Sequence, residues 1–337
     1  MSLSVTSNPQ LLDSLKWDRF VREHPDGNIF QTREMFQFYG RTLNHNPVLV
    51  ACFDNDEIKG LLVGVIIKES VGLLSSFTKR FIVIGGPLIL NNDPLILDEI
   101  LKNLNLIVKK QAIYSQIRNI WDRLLDFVTF QNNGFDFDEH LNILINLEKD
   151  TEMLWNELDS KARNKIRLAE RNGLTSRFLK PGEHLETTYG LLCEVYKQAR
   201  LPLPDFNFFL VAQQTLMQND YLRILGVFKE TELIAVRFLL CYHKRVYDWY
   251  AGSKRSMQHL KANDLSPWAA MKGCKELGYK IFDWGGAGKP GKPYGVREFK
   301  KKYGGTSLNF GRFERVNNRV LMGIGRIGLK LYRKFYK

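Results

Sequence analysis

Apolar positions change their spacing repeatedly along the chain, and each change predicts an element. Over 10–23, Leu11, Leu15 and Val21 recur on one side of a polar stretch, as in a surface helix. Two dense aliphatic runs follow, 47–53 and 58–67, joined by the turn-forming FDNDE, which predicts a hairpin. Residues 81–84 read as a short strand ended by Gly85, Gly86 and Pro87. In 95–110, Leu97, Ile100, Leu101, Leu104 and Val108 stand at three-to-four spacing, the pattern of an amphipathic helix. A strand at 112–117, a helix at 121–131 and a strand at 140–147 close a first unit near Asp150.

The second half repeats this rhythm without repeating its sequence. Helices are expected at 151–158, 160–171, 183–199 and 206–217, then strands at 221–228, 232–242 and 245–250. The short connections KETE and HKR make these three strands an antiparallel meander rather than βαβ units. A helix over 264–277 leads through Gly278 into the strand YKIFDW. The pattern predicts an α+β fold with two tandem units, each a sheet covered by helices. The expected division is 1–150, 151–316 and a C-terminal helix over 317–337.

A length of 337 residues suits two domains, and 44% hydrophobic with 25% charged residues excludes a disordered or fibrous chain. No run reaches the roughly 18 apolar residues of a membrane span; the best, 58–67, is broken by Lys59 and Gly60. The start of the chain lacks the basic and apolar regions of a signal peptide and has Ser2 where myristoylation needs glycine, so a cytoplasmic location is expected. Cys52, Cys193, Cys241 and Cys274 are far apart and form no CxxC, and they read as buried thiols. Charge is uneven. Residues 287–337 carry a net +12 of the chain's +13, which points to an anionic partner at that end.

Familiar catalytic motifs are missing. Gly286, Gly291 and Lys292 satisfy GxxxxGK, but Pro293 stands where a Ser or Thr would ligate magnesium, and a flexible loop after a strand is the better reading. The six histidines form no HExxH, and there is no GxSxG. Two segments stand out instead. In SKARNKIRLAERNG, Arg163, Arg167 and Arg171 fall at i, i+4 and i+8 on a helix capped by Ser160 and ended by Gly173. Charge and helical phase make Arg163 and Arg167 candidates for holding phosphate or carboxylate, against the plainer reading of a solvated face. In FDWGGAGKPGKPYGVREFKKKYGG, a strand ends in paired glycines and a loop leads into a short basic helix. Tyr250, Tyr294 and Phe299 could line an acceptor cleft or belong to the core.

Lys161 to Gly173 (KxRxxIRxAxxNG), Phe282 to Gly286 (FDxGG) and Gly295 to Gly305, with its FK and YGG, together resemble the Fem-type aminoacyltransferases and their relatives in the GNAT superfamily of N-acyltransferases. The resemblance implies two tandem GNAT-like domains, each a mixed, mostly antiparallel sheet, with a groove between them. It implies an N-acyltransferase moving an acyl or aminoacyl group to an amine of an anionic cell-envelope substrate such as a peptidoglycan precursor. No bound cofactor or metal is expected, and the donor, aminoacyl-tRNA or acyl-CoA, is left undetermined. The acetyl-CoA pyrophosphate signature is absent from AGSKRSMQHLKAND, which disfavours ordinary acetyl-CoA use.

The resemblance makes Lys300 the cation that stabilises charge on the carbonyl oxygen. It makes Arg200, in YKQARLP, the match to a phosphate-contacting arginine. A tetrahedral oxyanion forms in any such transfer, and a cation aimed at it is typically the largest catalytic contribution. Asp283 is the nearest candidate for a general base, with a buried structural carboxylate as the alternative. Over 317–337, Val320, Ile324, Ile327, Leu331 and Phe335 alternate with Arg326, Lys330, Arg333 and Lys337, a helix suited equally to an anionic membrane surface or to docking on the protein itself. A non-catalytic nucleic-acid or membrane-surface binding protein on the same fold is the alternative function.

Overall fold

A computed structural model describes residues 3–68 and 79–323. The chain runs through β1 (Leu3–Thr6), α1 (Ser14–Glu23), α2 (Arg33–Arg41), β2 (His45–Asp54), β3 (Glu57–Ile67), β4 (Arg80–Ile84), β5 (Leu88–Ile89), α3 (Pro94–Val108), β6 (Tyr114–Arg118), α4 (Phe127–Asn132) and β7 (Asp136–Asp138). It continues through β8 (Leu141–Asn146), α5 (Thr151–Glu157), α6 (Ser160–Arg171), β9 (Leu174–Phe178), α7 (Leu185–Ala199), α8 (Phe206–Ala212), β10 (Leu222–Lys229), β11 (Glu232–Tyr242), β12 (Arg245–Ser253), α9 (Ala262–Glu276), β13 (Ile281–Gly286), α10 (Gly295–Lys301), β14 (Thr306–Asn309) and β15 (Arg312–Val316). Asp13, Thr32, Asp93, Asp150, Asp159 and Asp205 each cap a helix by accepting backbone N–H bonds in its first turn. At α6 the cap is Asp159 rather than the expected Ser160, which is the first helical residue.

The strands form two sheets of the same design. One has the order β1-β2-β3-β4-β6-β15-β7, with β5 added to β3; the other, read in the matching direction, is β9-β10-β11-β12-β13-β8-β14. In each, every neighbouring pair is antiparallel except one, β4 with β6 and β12 with β13. The meander expected from KETE and HKR is β10-β11-β12. The central strands β3 and β11 are buried along almost their whole length, which explains why they read as unbroken apolar runs. On β3, a Cβ at Gly60 would lie 2.6 Å from both Ile96 and Ile100, so glycine here lets α3 close on the sheet.

The compact units are not contiguous in sequence. One comprises residues up to Glu139 and from Phe310 onward, the other His140–Asn309. The strand expected to close the first unit, β8, lies between β13 and β14 in the second sheet. β15, outside every strand expected from sequence, lies between β6 and β7 in the first. Each short edge strand, β7 or β14, is therefore followed directly by a strand of the other sheet. Of the helix expected over 317–337, residues 324–337 lie outside the described residues. No helix among the described residues is long and apolar enough to cross a membrane. Cys193 is half-buried, unlike the other three cysteines.

Phe313 of β15 is 1% exposed, stacks on Phe130 of α4 at 3.9 Å and meets Phe137 of β7 edge-on at 5.4 Å. Phe313→Ala should destabilise the first unit by about 3–5 kcal/mol, as large-to-small changes in packed aromatic cores do. Chemical denaturation with a probe in each unit checks this, the loss falling on the first.

Candidate active site

In the second unit the parallel strands separate. β12 and β13 pair over Arg245↔Ile281, Val246↔Phe282 and Tyr247↔Asp283, after which β12 runs on against β11 and β13 against β8. A bulge at the same level sets Phe238 opposite Tyr250 and Leu239 opposite Asp248, leaving Trp249 out of register. In the first unit the corresponding pair stays joined through all five residues, Arg80↔Tyr114 to Ile84↔Arg118, and Gly85 N donates to Arg118 O as well. Its loop carbonyls are met by neutral amides, Gln31 on Ile84 O and Asn28 on Gly85 O.

The FDWGG motif builds a carbonyl cradle at the end of β13. Asp283 is fully buried, and its Oδ1 accepts a 2.7 Å bond from Gly285 N. Gly285 adopts φ +67°, and a Cβ there would stand 2.8 Å from the Tyr247 hydroxyl, so the turn requires glycine. The turn aims the carbonyls of Trp284 and Gly286 at one point. Lys300 of α10 fills it, Nζ donating to Trp284 O at 2.6 Å and Gly286 O at 2.8 Å. An ammonium has three donors, so one is left for another acceptor. Burial lowers the Lys300 pKa, and the charges of Asp248 and Asp283 oppose that shift.

The loop 287–294 between cradle and helix is pinned, not free as the sequence suggested. Arg297, 7% exposed, donates to the carbonyls of Ala287, Lys289 and Lys292. Phe299 packs beside Trp284 and Tyr303 in the core of the unit.

Other candidate residues fall elsewhere. Arg163 donates through Nη1 to the carbonyls of Trp155, Asn156 and Leu158, capping the end of α5, so this part of its guanidinium is committed to structure. Arg167 is exposed and lies 5.3 Å over the Trp155 ring. Arg200 is exposed at the left-handed end of α7. Tyr250 belongs to an aromatic cluster with Tyr196, Phe208, Phe209 and Trp249 rather than to an open cleft. Tyr294, 42% exposed, precedes α10. Asp283, wholly buried and holding the turn through Gly285 N, has the surroundings of the structural carboxylate that is the alternative to a general base.

Sequence reasoning missed a buried charge pair. Arg237 of β11, 2% exposed, donates to Asp248 Oδ1 at 2.6 Å, and its guanidinium lies 5.3 Å over the Trp284 ring. A signal was present: Arg237 is the single charge inside the apolar run LIAVRFLLCY.

Against known proteins, residues 158–301 match the family model described as an acetyltransferase (GNAT) domain. The fold and this match define the chain as an acyltransferase with a GNAT-type domain in its second unit. The whole chain has the fold of FemX, with a TM-score of 0.72 and 16% identity over 96% of this chain and 99% of that one. A tandem GNAT protein from the clavulanic acid biosynthesis pathway aligns with a TM-score of 0.60 and 8% identity, covering 94% and 99% of the two chains. The C-terminal domain of a putative lysylphosphatidylglycerol synthetase from Agrobacterium fabrum aligns at 0.58 and 11% identity, covering 95% of each. No curated protein matches by sequence.

Burial raises the Asp283 pKa against the opposing effects of Arg245, the Gly285 N–H and Lys300. Unfolded, the carboxyl ionises near 3.8; folded, it holds its proton to higher pH, so folding stability falls as pH rises above 3.8 until the folded pKa is passed. Asp283→Asn removes this contribution while keeping an acceptor for Gly285 N. Denaturant titrations over a pH series should show the variant gaining on wild type from pH 3.8 upward, and a constant difference would refute the expectation.

Proposed function

We propose that the chain transfers an acyl or aminoacyl group onto an amine of an anionic envelope substrate, with Lys300 stabilising the oxyanion. The observation that carries this reading is the half-buried Lys300 ammonium, fixed by two carbonyls where the parallel strands part, with its third donor unspent. The acceptor amine attacks the carbonyl carbon of the donor ester or thioester, forming the C–N bond and placing negative charge on the carbonyl oxygen. Collapse expels the ester oxygen or thiolate, and the proton lost by the amine leaves with solvent or the departing group. A preorganised cation needs no rearrangement as the charge appears, which is where such a group is most effective.

The start of α9 supports a donor without a pyrophosphate at that point. Its first turn carries Asp264, already paired with Lys165 at 3.3 Å, and a carboxylate there disfavours a second anion. Aminoacyl-tRNA is the donor we favour. Acyl-CoA is the second reading, kept because the matching family model is that of an acetyltransferase.

Purified protein should be incubated with charged tRNAs, separately with acyl-CoAs, and with lipid-linked and soluble peptidoglycan precursors, and the amide-sized mass gain followed. Lys300→Met should lower kcat about 100- to 1,000-fold with KM little changed. Full activity of a folded Lys300→Met protein would overturn the oxyanion role.

A further inference from the structure

The Arg237–Asp248 pair sits inside the second sheet, beside the cradle. It joins three strands: Arg237 comes from β11, Asp248 from β12 just before the displaced Trp249, and the ring under the guanidinium is Trp284 of β13. Trp284 supplies one of the two carbonyls that hold Lys300. A second contact, Nη2 to Ser266 Oγ at 3.5 Å, ties the guanidinium to α9.

Stability does not explain this arrangement. Burying an ion pair is expensive, and apolar residues of similar volume commonly serve a core as well or better. The pair is also incompletely satisfied: Arg237 Nε and Trp284 Nε1 are buried without a hydrogen-bond partner. Buried polar groups left in that condition call for a reason other than packing.

We propose that Arg237 and Asp248 are positioning residues, which fix Trp284 and through its carbonyl set the place and direction of the Lys300 ammonium. The inference rests on the reading of Lys300 as the oxyanion cation. Electrostatics act in the same sense. The charged groups acting on Lys300 are Asp248 from β12, Asp283 from β13 and Arg237 from β11; the two carboxylates favour the ammonium, while burial and Arg237 oppose it. Removing Asp248 takes away the largest of the supporting charges.

The test uses full-length protein with isotopically labelled lysine. The Lys300 signal is assigned by its loss in Lys300→Met and titrated by NMR in wild type, in Asp248→Asn and in Arg237→Met/Asp248→Leu, which removes both charges should the single variant fail to fold. The Lys300 titration should move down by about one pH unit in Asp248→Asn, the size expected for a nearby opposite charge. The alkaline limb of the pH–kcat profile should move with it, and kcat should fall about tenfold at unchanged KM in both variants. An unmoved Lys300 titration in folded Asp248→Asn overturns the proposal whatever the activity; in the double variant, where a supporting and an opposing charge leave together, an unchanged kcat overturns it wherever Lys300→Met is impaired. A titration that moves while kcat and its pH profile stay put upholds the placement of the pair and overturns the catalytic reading of Lys300.

Discussion

An ammonium withdrawn from water costs free energy unless oxygen acceptors replace its hydration, and the end of β13 is arranged to meet that requirement for Lys300. Asp283 pulls on Gly285 N, glycine takes the left-handed turn, and two carbonyls converge where the ammonium stands. Arg297 pins the connecting loop, so the spacing between cradle and α10 is set by hydrogen bonds rather than by chain tension.

The two units show what that requirement adds to a common plan. Their sheets share strand order and pairing sense, yet the parallel pair stays closed in one and opens in the other. Where it stays closed, amide side chains meet the carbonyls of Ile84 and Gly85, and the buried Arg123 that reaches Pro87 O is neutralised by Asp126. Where it opens, the same kind of backbone group is met by an ammonium, with buried carboxylates nearby to support the charge. An identical topology therefore hosts a polar plug in one case and a candidate reactive centre in the other.

Much of this was legible in sequence. Periodicity located most helices and the meander, because buried central strands such as β11 and amphipathic helices such as α3 announce themselves through local spacing. Short strands did not: β7, β9 and β14 at sheet edges and β15 within the first sheet are brief and mostly polar, and their pairing is decided by partners elsewhere in the chain. The FDWGG and FK motifs are the two segments that meet at the cradle, but the division of labour within it depended on three dimensions. Asp283 turned out to shape backbone, and Arg163 to finish a helix, because burial and hydrogen bonding decide a charged residue's work and neither follows from its position along a helix. Arg237 was legible in principle as a charge in an apolar strand, and only its partner, eleven residues away across a hairpin, was hidden.

The exchange of β8 and β15 between the sheets has a consequence for how the chain is made. A polypeptide leaves the ribosome from its N-terminus, so the first sheet emerges with a vacancy between β6 and β7 that only β15 fills. Until then Phe130 has Phe135 and Phe137 has Phe127 as a ring partner, and the Phe313 ring that both also meet is missing. The unit synthesised first is therefore completed last, by a strand that begins at Arg312, just after the second unit gains its seventh strand at Asn309. Any chaperone or partner that shields the early segment has to leave the place between β6 and β7 open until Arg312–Val316 arrives.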